Sequence, residues 1–215
     1  MDANSFTMKR FKAQANKFSG IISKGLIISK QKLIKQLIYG IQASKDVKLS
    51  NINRALPLIK TEDRLSRNLE DLDFTEHINS QTLRLGDDKI NDSMVIAIDP
   101  DVIRKPYAKT MEKLCEIWDA NEGEKGRGYH LCHVTAANLK HNKVVPLYCE
   151  AYLSKELGYI NTTDKVINIK DKVINYTHTK GFCAIDRMGD NNEIIKHFSS
   201  QQLQFVTRLK LNRGK

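Results

Sequence analysis

The chain has 215 residues, an apolar fraction of 40% and a formal net charge of +10. This length can bury a sizeable core in one or two domains. No apolar run approaches the ~20 residues that cross a bilayer, and the first twenty residues lack the apolar core of a secretory signal. We therefore expect a cytoplasmic protein with no membrane partner. The four widely separated cysteines indicate neither a disulfide framework nor a zinc ribbon.

The first 60 residues carry all of the excess positive charge. They contain twelve Lys and Arg against two Asp and Glu, a net charge of +10, whereas residues 61–215 contain 23 of each kind. Positive charge concentrated in one segment suits a polyanion, and nucleic acid is the most common one. A solvated basic surface is the alternative, but acids are usually interspersed in such a surface.

Helical periodicity predicts three helices within residues 1–85, at 29–41, 50–56 and 61–72. The first has an apolar stripe formed by Leu33, Ile34, Leu37, Ile38 and Ile41. Thr61 is a candidate N-cap of the third helix. Short helices with exposed basic residues are typical of helical DNA-binding modules, and a three-helix bundle without a DNA role is the alternative. The candidate DNA ligands are Lys30, Lys32, Lys35, Arg54, Arg64 and Arg67.

From residue 90 onward the pattern changes to that of a mixed domain, α+β or α/β, at 90–215. Strands are predicted at 93–98, 129–139, 143–153, 181–186 and 204–212, and helices at 108–119, 163–175 and 191–200. Pro146 places the third strand at an edge or a bulge of the sheet. On the fifth strand, Arg208 and Lys210 share one face, where they either contact a DNA backbone or keep an exposed strand soluble.

Two buried-type strands each run into an aspartate: Asp99 follows the first strand and Asp186 follows the fourth. The order of the elements is that of the RNase H-like fold, in which these two strands lie side by side. Neighbouring carboxylates repel each other unless a cation neutralises them, and oxygen ligands favour Mg²⁺ or Mn²⁺. The alternative is that each aspartate only caps a turn.

Several collinear stretches of the sequence together resemble the DDE-type transposases of bacterial insertion sequences, in the large group numbered four. These stretches are KTEDRLSRNL, IAIDPDVIRKPYAKTMEKL, GRGYHLCHV, VPLYCEAY and FCAIDRMGDNNEIIKHF. The resemblance implies that Asp99 and Asp186 are the first two acids of a catalytic triad that uses Mg²⁺ or Mn²⁺. It also implies binding to double-stranded DNA (the terminal inverted repeats of the element, and target DNA), a homodimer on paired ends, and a nucleoid-associated protein in a bacterial cytoplasm.

Two departures from the family pattern affect what the resemblance implies. Met188 interrupts the usual Asp-Arg-Gly, which is a local change in a turn. The third acid of the family is a Glu on a helix beyond the fifth strand, and no residue matches it, so we expect a partial RNase H-like domain with little activity of its own. Three hypotheses follow: a transposase that is active in its full-length form, a truncated transposase that regulates by binding DNA, and a decayed fragment.

Overall fold

A computed structural model describes residues 3–56, 62–70, 74–108, 111, 114–119, 122–153, 159–178 and 180–209. The chain divides into two compact units, Met1–Gln81 and Thr82–Lys215. The division falls within a helix that runs from Thr75 to Asp87. The sequence pattern places the change of texture slightly later, between residues 85 and 90.

The first unit is helical throughout its described part. Its helices are α1 (Ala3–Ile22), α2 (Ile28–Ser44), α3 (Leu49–Ala55), α4 (Glu62–Glu70) and the start of α5 (Thr75–Asp87). A small core forms from Leu33, Ile52, Leu56 and Leu65. Gly40 lets α2 approach α3 closely, because a Cβ at this position would lie 2.6 Å from Cγ2 of Ile52.

The predicted helices at 29–41 and 50–56 are confirmed as α2 and α3. The helix predicted at 61–72 is confirmed by α4 over 62–70, and the remaining predicted positions lie outside the described residues. Thr61, the candidate N-cap, lies outside the described residues. Helices α1 and α5 were not predicted. In α1 the buried positions are Ala15, Ser19 and Ile22, which lie on one helical face but include little apolar side chain to mark it.

The second unit is an α+β structure with a mixed sheet. Its strands are β1 (Val95–Arg104), β2 (Cys115–Asp119), β3 (Glu124–Asn138), β4 (Lys143–Tyr152), β5 (Phe182–Ile185) and β6 (Phe205–Thr207), and its further helices are α6 (Thr162–Thr177) and α7 (Asn192–Ser200). The sheet runs β4-β3-β1-β5-β6, and β2 pairs with the first part of β3. Strand β3 is antiparallel to β1 and β4, whereas β5 is parallel to both β1 and β6.

One face of this sheet is buried and the other is not. Alternate residues of β1, Ile96 and Ile98, are at most 2% exposed, and they belong to a core that includes residues of α6 and α7. Successive side chains of a strand point to opposite faces, so Val95, Ala97 and Asp99 belong to the other face, where they are half-buried or exposed. We call this second face the open face. The prediction of helices at 163–175 and 191–200 is confirmed by α6 and α7.

The helix predicted at 108–119 is wrong in its second half, because Cys115–Asp119 forms strand β2. Cys115, Ile117 and Asp119 are buried in alternation with exposed Glu116 and Trp118, which is the pattern of a strand. The apolar spacing in this stretch fits a helix equally well. Pairing with Glu124–Gly128 decides in favour of a strand.

Strand β1 is also longer than the predicted 93–98, so Asp99 lies in the middle of the strand instead of at its end. The reason is the length of β3, whose Gly128 still pairs with Arg104 at the far end of β1. Strand β5 pairs with β1 only as far as Ile98. Beyond that point β1 has an open edge among the described strands, where a proline such as Pro100 is tolerated.

The predicted hairpin of strands at 129–139 and 143–153 is confirmed by β3 and β4, with Asn142 in a left-handed conformation in the turn. The predicted irregularity at Pro146 is confirmed by a register shift between Val134 and Thr135, beside the pairing of Thr135 with Pro146. The strand predicted at 204–212 is shorter, since β6 ends at Thr207. None of the helices in the described ranges is both long and apolar enough to cross a membrane.

Candidate metal-binding site

The structure brings the two predicted acids, Asp99 and Asp186, next to each other. Strands β1 and β5 are parallel neighbours, and their last pair is Ile98 with Ile185. Asp99 is the next residue of β1, and Asp186 directly follows the last residue of β5. Both are exposed. Neighbouring strands lie about 4.8 Å apart. The two residues therefore lie side by side at one level of the sheet, although 86 residues separate them in the sequence.

Asp186 is held by a short turn that begins where β5 ends. The residues Arg187–Gly189 form a single 3₁₀ turn, and Oδ1 of Asp186 accepts a hydrogen bond of 2.9 Å from the backbone N–H of Met188. The hydroxyl of Thr207 donates a 2.8 Å hydrogen bond to the carbonyl oxygen of Asp186. Both bonds fix the backbone at Asp186. The turn-capping role, which the sequence left as an alternative, is thus compatible with a second role for the other carboxylate oxygen.

The surroundings of Asp99 disfavour its charged form. Partial burial in the sheet raises the pKa of Asp99 above its ordinary value of 3.8, and the negative charges of Asp101 and Asp186 raise it further. His133 acts in the opposite direction. A bound cation would relieve this repulsion.

Asp101 is a further acid near Asp99. It lies within β1, two positions after Asp99, and so on the open face. Its Oδ1 accepts a hydrogen bond of 2.7 Å from the N–H of Val102. It is a strand residue because β1 continues beyond Pro100.

His133 is a neighbour of Asp99 that the sequence did not identify as a functional residue. It pairs directly with Asp99 across the antiparallel strands β1 and β3. Strand alternation places His133 on the opposite face from His130 and Cys132, and the burial pattern along β3 agrees. What the sequence lacked was the register between the two strands, which sets the pairing.

The donor set at this point of the sheet fits a hard divalent cation. Asp99 and Asp186 supply carboxylate oxygens, which are the ligands that Mg²⁺ and Mn²⁺ prefer. A bound cation would neutralise part of the negative charge of these two carboxylates. Over the described ranges, however, no three His, Cys, Asp or Glu side chains are already gathered into a group that could hold a metal ion. Among the described residues, Asp99 and Asp186 therefore supply at most part of a ligand set.

The predicted DNA ligands of the first unit differ in their accessibility. Lys32, Lys35, Arg54 and Arg67 are exposed. Lys30 is half-buried, and its Nζ lies 5.7 Å from the centre of the Phe74 ring, a distance at which a cation is attracted to the ring face. Lys30 therefore has a packing role that the sequence did not indicate.

Two of the remaining predicted DNA ligands, Arg64 and Lys210, have side chains outside the described residues. The backbone of Arg64 lies in α4, but its side chain falls outside the described residues, as does the whole of Lys210. Arg208 is exposed and follows the last residue of β6. The shared strand face predicted for Arg208 and Lys210 does not extend over Arg208, because β6 has already ended.

Helix α1 adds basic residues that were counted in the charge of the first 60 residues but were not assigned to an element. Those on α1 are all exposed: Lys9, Arg10, Lys12 and Lys17. The helix has no acidic residue in its first turn and none elsewhere along its length. The apolar stripe of α1 is weak, so the periodicity of apolar residues does not predict a helix there. The positive charge of the segment is evident from its composition.

A scan against protein-family models found no match, and a search of curated proteins found no similar sequence.

Proposed function

We propose that the chain is a DDE-type transposase of an insertion sequence, with an RNase H-like catalytic unit at 90–215 and a helical DNA-binding unit at 1–85. Its partners would be double-stranded DNA, both the terminal inverted repeats and the target, and a second copy of the chain on paired ends. The location that goes with this function is the bacterial cytoplasm, in association with the nucleoid.

The order of the strands supports this fold proposal. In the sheet β4-β3-β1-β5-β6, an antiparallel hairpin partner, β3, lies on one side of β1, and the parallel strand β5 lies on the other. The RNase H-like fold that the sequence resembles has its first and fourth main strands side by side. In this chain those strands are β1 and β5, because β2 pairs only with β3.

The observation that carries the functional proposal is the pairing of Ile98 with Ile185, which places Asp99 and Asp186 together on the exposed end of the pairing. If each aspartate only capped its own turn, nothing would require the two residues to lie next to each other. Partial burial raises the pKa of Asp99, and the charges of Asp101 and then Asp186 raise it further, which is consistent with Asp186 lying nearby. The same coincidence is what phosphodiester chemistry with divalent metal ions requires.

In this proposal Asp99 and Asp186 would bind Mg²⁺ or Mn²⁺. When bound, such ions supply activation of a water or 3′-hydroxyl and stabilisation of the leaving oxygen in phosphodiester transfer. The other residues of the chain hold these two aspartates in position. Asp99 is held by its own pairing with β3 and by the pairing of the preceding Ile98 with β5, and the Met188 and Thr207 hydrogen bonds hold Asp186.

Cleavage of DNA carrying the element ends tests this proposal. The 215-residue chain is incubated with Mg²⁺ or Mn²⁺, beside Asp99→Asn, Asp186→Asn and Glu193→Gln. Glu193 is an exposed acid in the first turn of α7 and serves as the matched control. We expect weak cleavage that both Asn variants abolish and the Gln variant retains. Cleavage that survives in Asp99→Asn would contradict a catalytic role for this pair.

A second candidate function, a DNA-binding regulator without catalysis, is favoured by the first unit. This unit has its own core around Leu33 and Ile52, and it presents exposed basic residues on α1 and α2. Binding to element ends without any metal-dependent cleavage, in a protein whose Asp99→Asn variant behaves like the wild type, would favour this candidate over the first.

A further inference from the structure

Helices α1 and α2 leave an apolar groove between them on the surface of the first unit. The groove has a volume of about 230 Å³ and is lined by side chains of both helices: Phe11, Gln14, Ala15, Phe18, Ile38 and Gln42. We call it the α1–α2 groove. The side chain of Phe18 is 48% exposed there, although phenylalanine is one of the residues most often buried in soluble proteins. An exposed apolar patch that polar residues surround is typical of an interaction site.

Basic side chains flank this groove on both helices. Residues three or four positions apart are neighbours on the surface of a helix, so Arg10 and Lys17 both lie beside Gln14. In the same way, Lys35 lies beside Ile38. All three basic residues are exposed. The sequences of α1 and α2 contain no aspartate and no glutamate, so the groove combines an apolar floor with a positively charged rim.

We propose that the α1–α2 groove binds an amphipathic helix of a partner protein, with apolar side chains of that helix in the groove and acidic side chains facing its basic rim. Binding of this kind places apolar residues from successive turns of the partner helix in a hydrophobic groove. The volume suits one or two such side chains, because it lies below the ~300–1,000 Å³ of small-molecule pockets. The inference does not depend on the proposed catalytic function, which concerns the other unit.

Charge distinguishes this partner from the two other occupants that the groove could have. A second copy of the chain that presented the same groove would bring two basic rims together, and like charges across an interface disfavour association. The phosphate backbone of DNA would neutralise the rim, but it offers nothing apolar to Phe18 or Ile38. An acidic amphipathic helix satisfies both the floor and the rim. Since Lys35 is also a candidate DNA ligand, the test includes DNA.

Fluorescence anisotropy with the whole chain and a labelled synthetic peptide tests this proposal. The peptide has about 15 residues, since shorter helices are marginal in water, with leucines on one helical stripe and glutamates elsewhere. We expect it to bind the wild type and to bind Phe18→Ser about tenfold more weakly, because the variant lacks the aromatic anchor. Val47→Ser is the matched control and should bind like the wild type, since Val47 is 76% exposed and lies outside the groove.

Charge reversal tests the rim separately. Replacing Lys17 and Lys35 together by Glu should weaken binding of the acidic peptide, and it should strengthen binding of a peptide in which lysines replace the glutamates. Lys143→Glu, at the start of β4 in the other unit, is the control and should leave both affinities unchanged. Lys17 and Lys35 are exposed, so this arm decides the question even if Phe18→Ser does not fold.

Several results would overturn the proposal. One is that the acidic peptide does not bind the wild type, or that it binds Phe18→Ser equally well. Another is that the lysine peptide binds the wild type as tightly as the acidic one, since the rim would then select no acidic partner. If Phe18→Ser weakens binding of double-stranded DNA as much as binding of the peptide, the groove belongs to a DNA-binding surface. If the wild type sediments as a dimer and Phe18→Ser as a monomer, the occupant is a second copy of the chain.

Discussion

Ile98 of β1 pairs with Ile185 of β5, and each of these residues is followed directly by an aspartate. Both isoleucines are buried, at 2% and 5% exposure, so the register of the two strands is fixed by the core beneath them. A slip of one residue would expose the buried set of side chains. The position of the acids therefore depends on hydrophobic packing that does not involve the acids themselves.

The metal-free protein should be no less stable, and at neutral pH more stable, when Asp99 is replaced by Asn. The folded-state pKa of Asp99 is raised above 3.8, first by partial burial and then by Asp101 and Asp186. An acid with a raised pKa costs stability above that pKa, and the cost disappears as the pH falls below the ordinary value. Urea unfolding of both proteins in the presence of a chelator measures the difference. A wild type that is the more stable one at pH 7 would contradict the repulsion described here.

Gly189→Ala should displace the turn that carries Asp186. A Cβ at Gly189 would lie 2.1 Å from Cγ2 of Ile185 and 2.6 Å from Oγ1 of Thr207, which requires the turn to move. We expect a loss of about 1–3 kcal/mol in the free energy of unfolding, together with weaker metal binding. Gly126→Ala is the control, since its nearest contact, at 3.4 Å, is the flexible side chain of Arg104. Equal effects of the two substitutions would argue against a special role for Gly189.

The charged cluster between α6 and α7 should make the second unit sensitive to acid. Burial of Asp171 favours its neutral form, but hydrogen bonds from Lys170, Gln201 and His197 outweigh this effect and lower its pKa below 3.8. Stability that comes from a lowered acid pKa is fully present above the ordinary pKa and is lost as the pH falls through the folded-state value.

Asp171→Asn tests this cluster, because it leaves the fully buried Lys170 without its charged partner. We expect a loss of about 3 kcal/mol in the free energy of unfolding at pH 7, which should shrink as the pH is lowered below 3.8. Urea unfolding at several pH values measures both proteins, with Glu193→Gln as a control on the exposed surface of α7. A difference that stays constant down to pH 3 would show that Asp171 does not titrate in this way.

DNA binding should depend on the basic residues of α2 and on salt. Replacing the exposed Lys32 and Lys35 by Glu should weaken binding to all DNA sequences and reduce the slope of log affinity against log salt by about 0.9 for each lost phosphate contact. Fluorescence anisotropy with the whole chain provides the measurement. Lys143→Glu, an exposed lysine at the start of β4, is the matched control and should change little. An unchanged slope in the Lys32 and Lys35 variant would place the DNA on another surface.

The sequence predicted the strands that carry the acids because both are short apolar runs that end in a polar residue. It did not predict where β1 ends, since Asp99, Pro100 and Asp101 look like the start of a loop. The extension to Arg104 depends on β3, whose 15 residues pair with β1 as far as Gly128. The length of a strand depends on the strand with which it pairs, and the local sequence of one strand does not identify its partner.

Helices and strands were confused where the apolar spacing fits both. Met111, Leu114, Cys115 and Trp118 follow a helical spacing, but Cys115 and Ile117 also alternate as in a strand, and pairing with β3 selects the strand. Helix α1 was missed for the opposite reason: small residues such as Ala15 and Ser19 fill its buried positions. Small buried side chains give no periodicity of large apolar residues, which is the pattern that predicts a helix.

The composition of the site shows the same limit. Asp99 and Asp186 are predicted from their position after strands, but nothing in the local sequence marks His133 as their neighbour. Alternation along β3 separates His133 from His130, but only the strand register shows that His133 lies opposite Asp99. Cross-strand register depends on turns and core packing along the whole hairpin, and so it could not be read from the local sequence.

Calorimetric titration of Mn²⁺ into the wild type, Asp99→Asn, Asp186→Asn and the double variant tests most directly whether the two acids form one metal site. If they share a cation, each single substitution should remove most of the binding, and the double variant should lose little more, because the two effects are strongly non-additive. Binding that is unchanged in both single variants, or losses that simply add, would show that Asp99 and Asp186 do not hold a metal together.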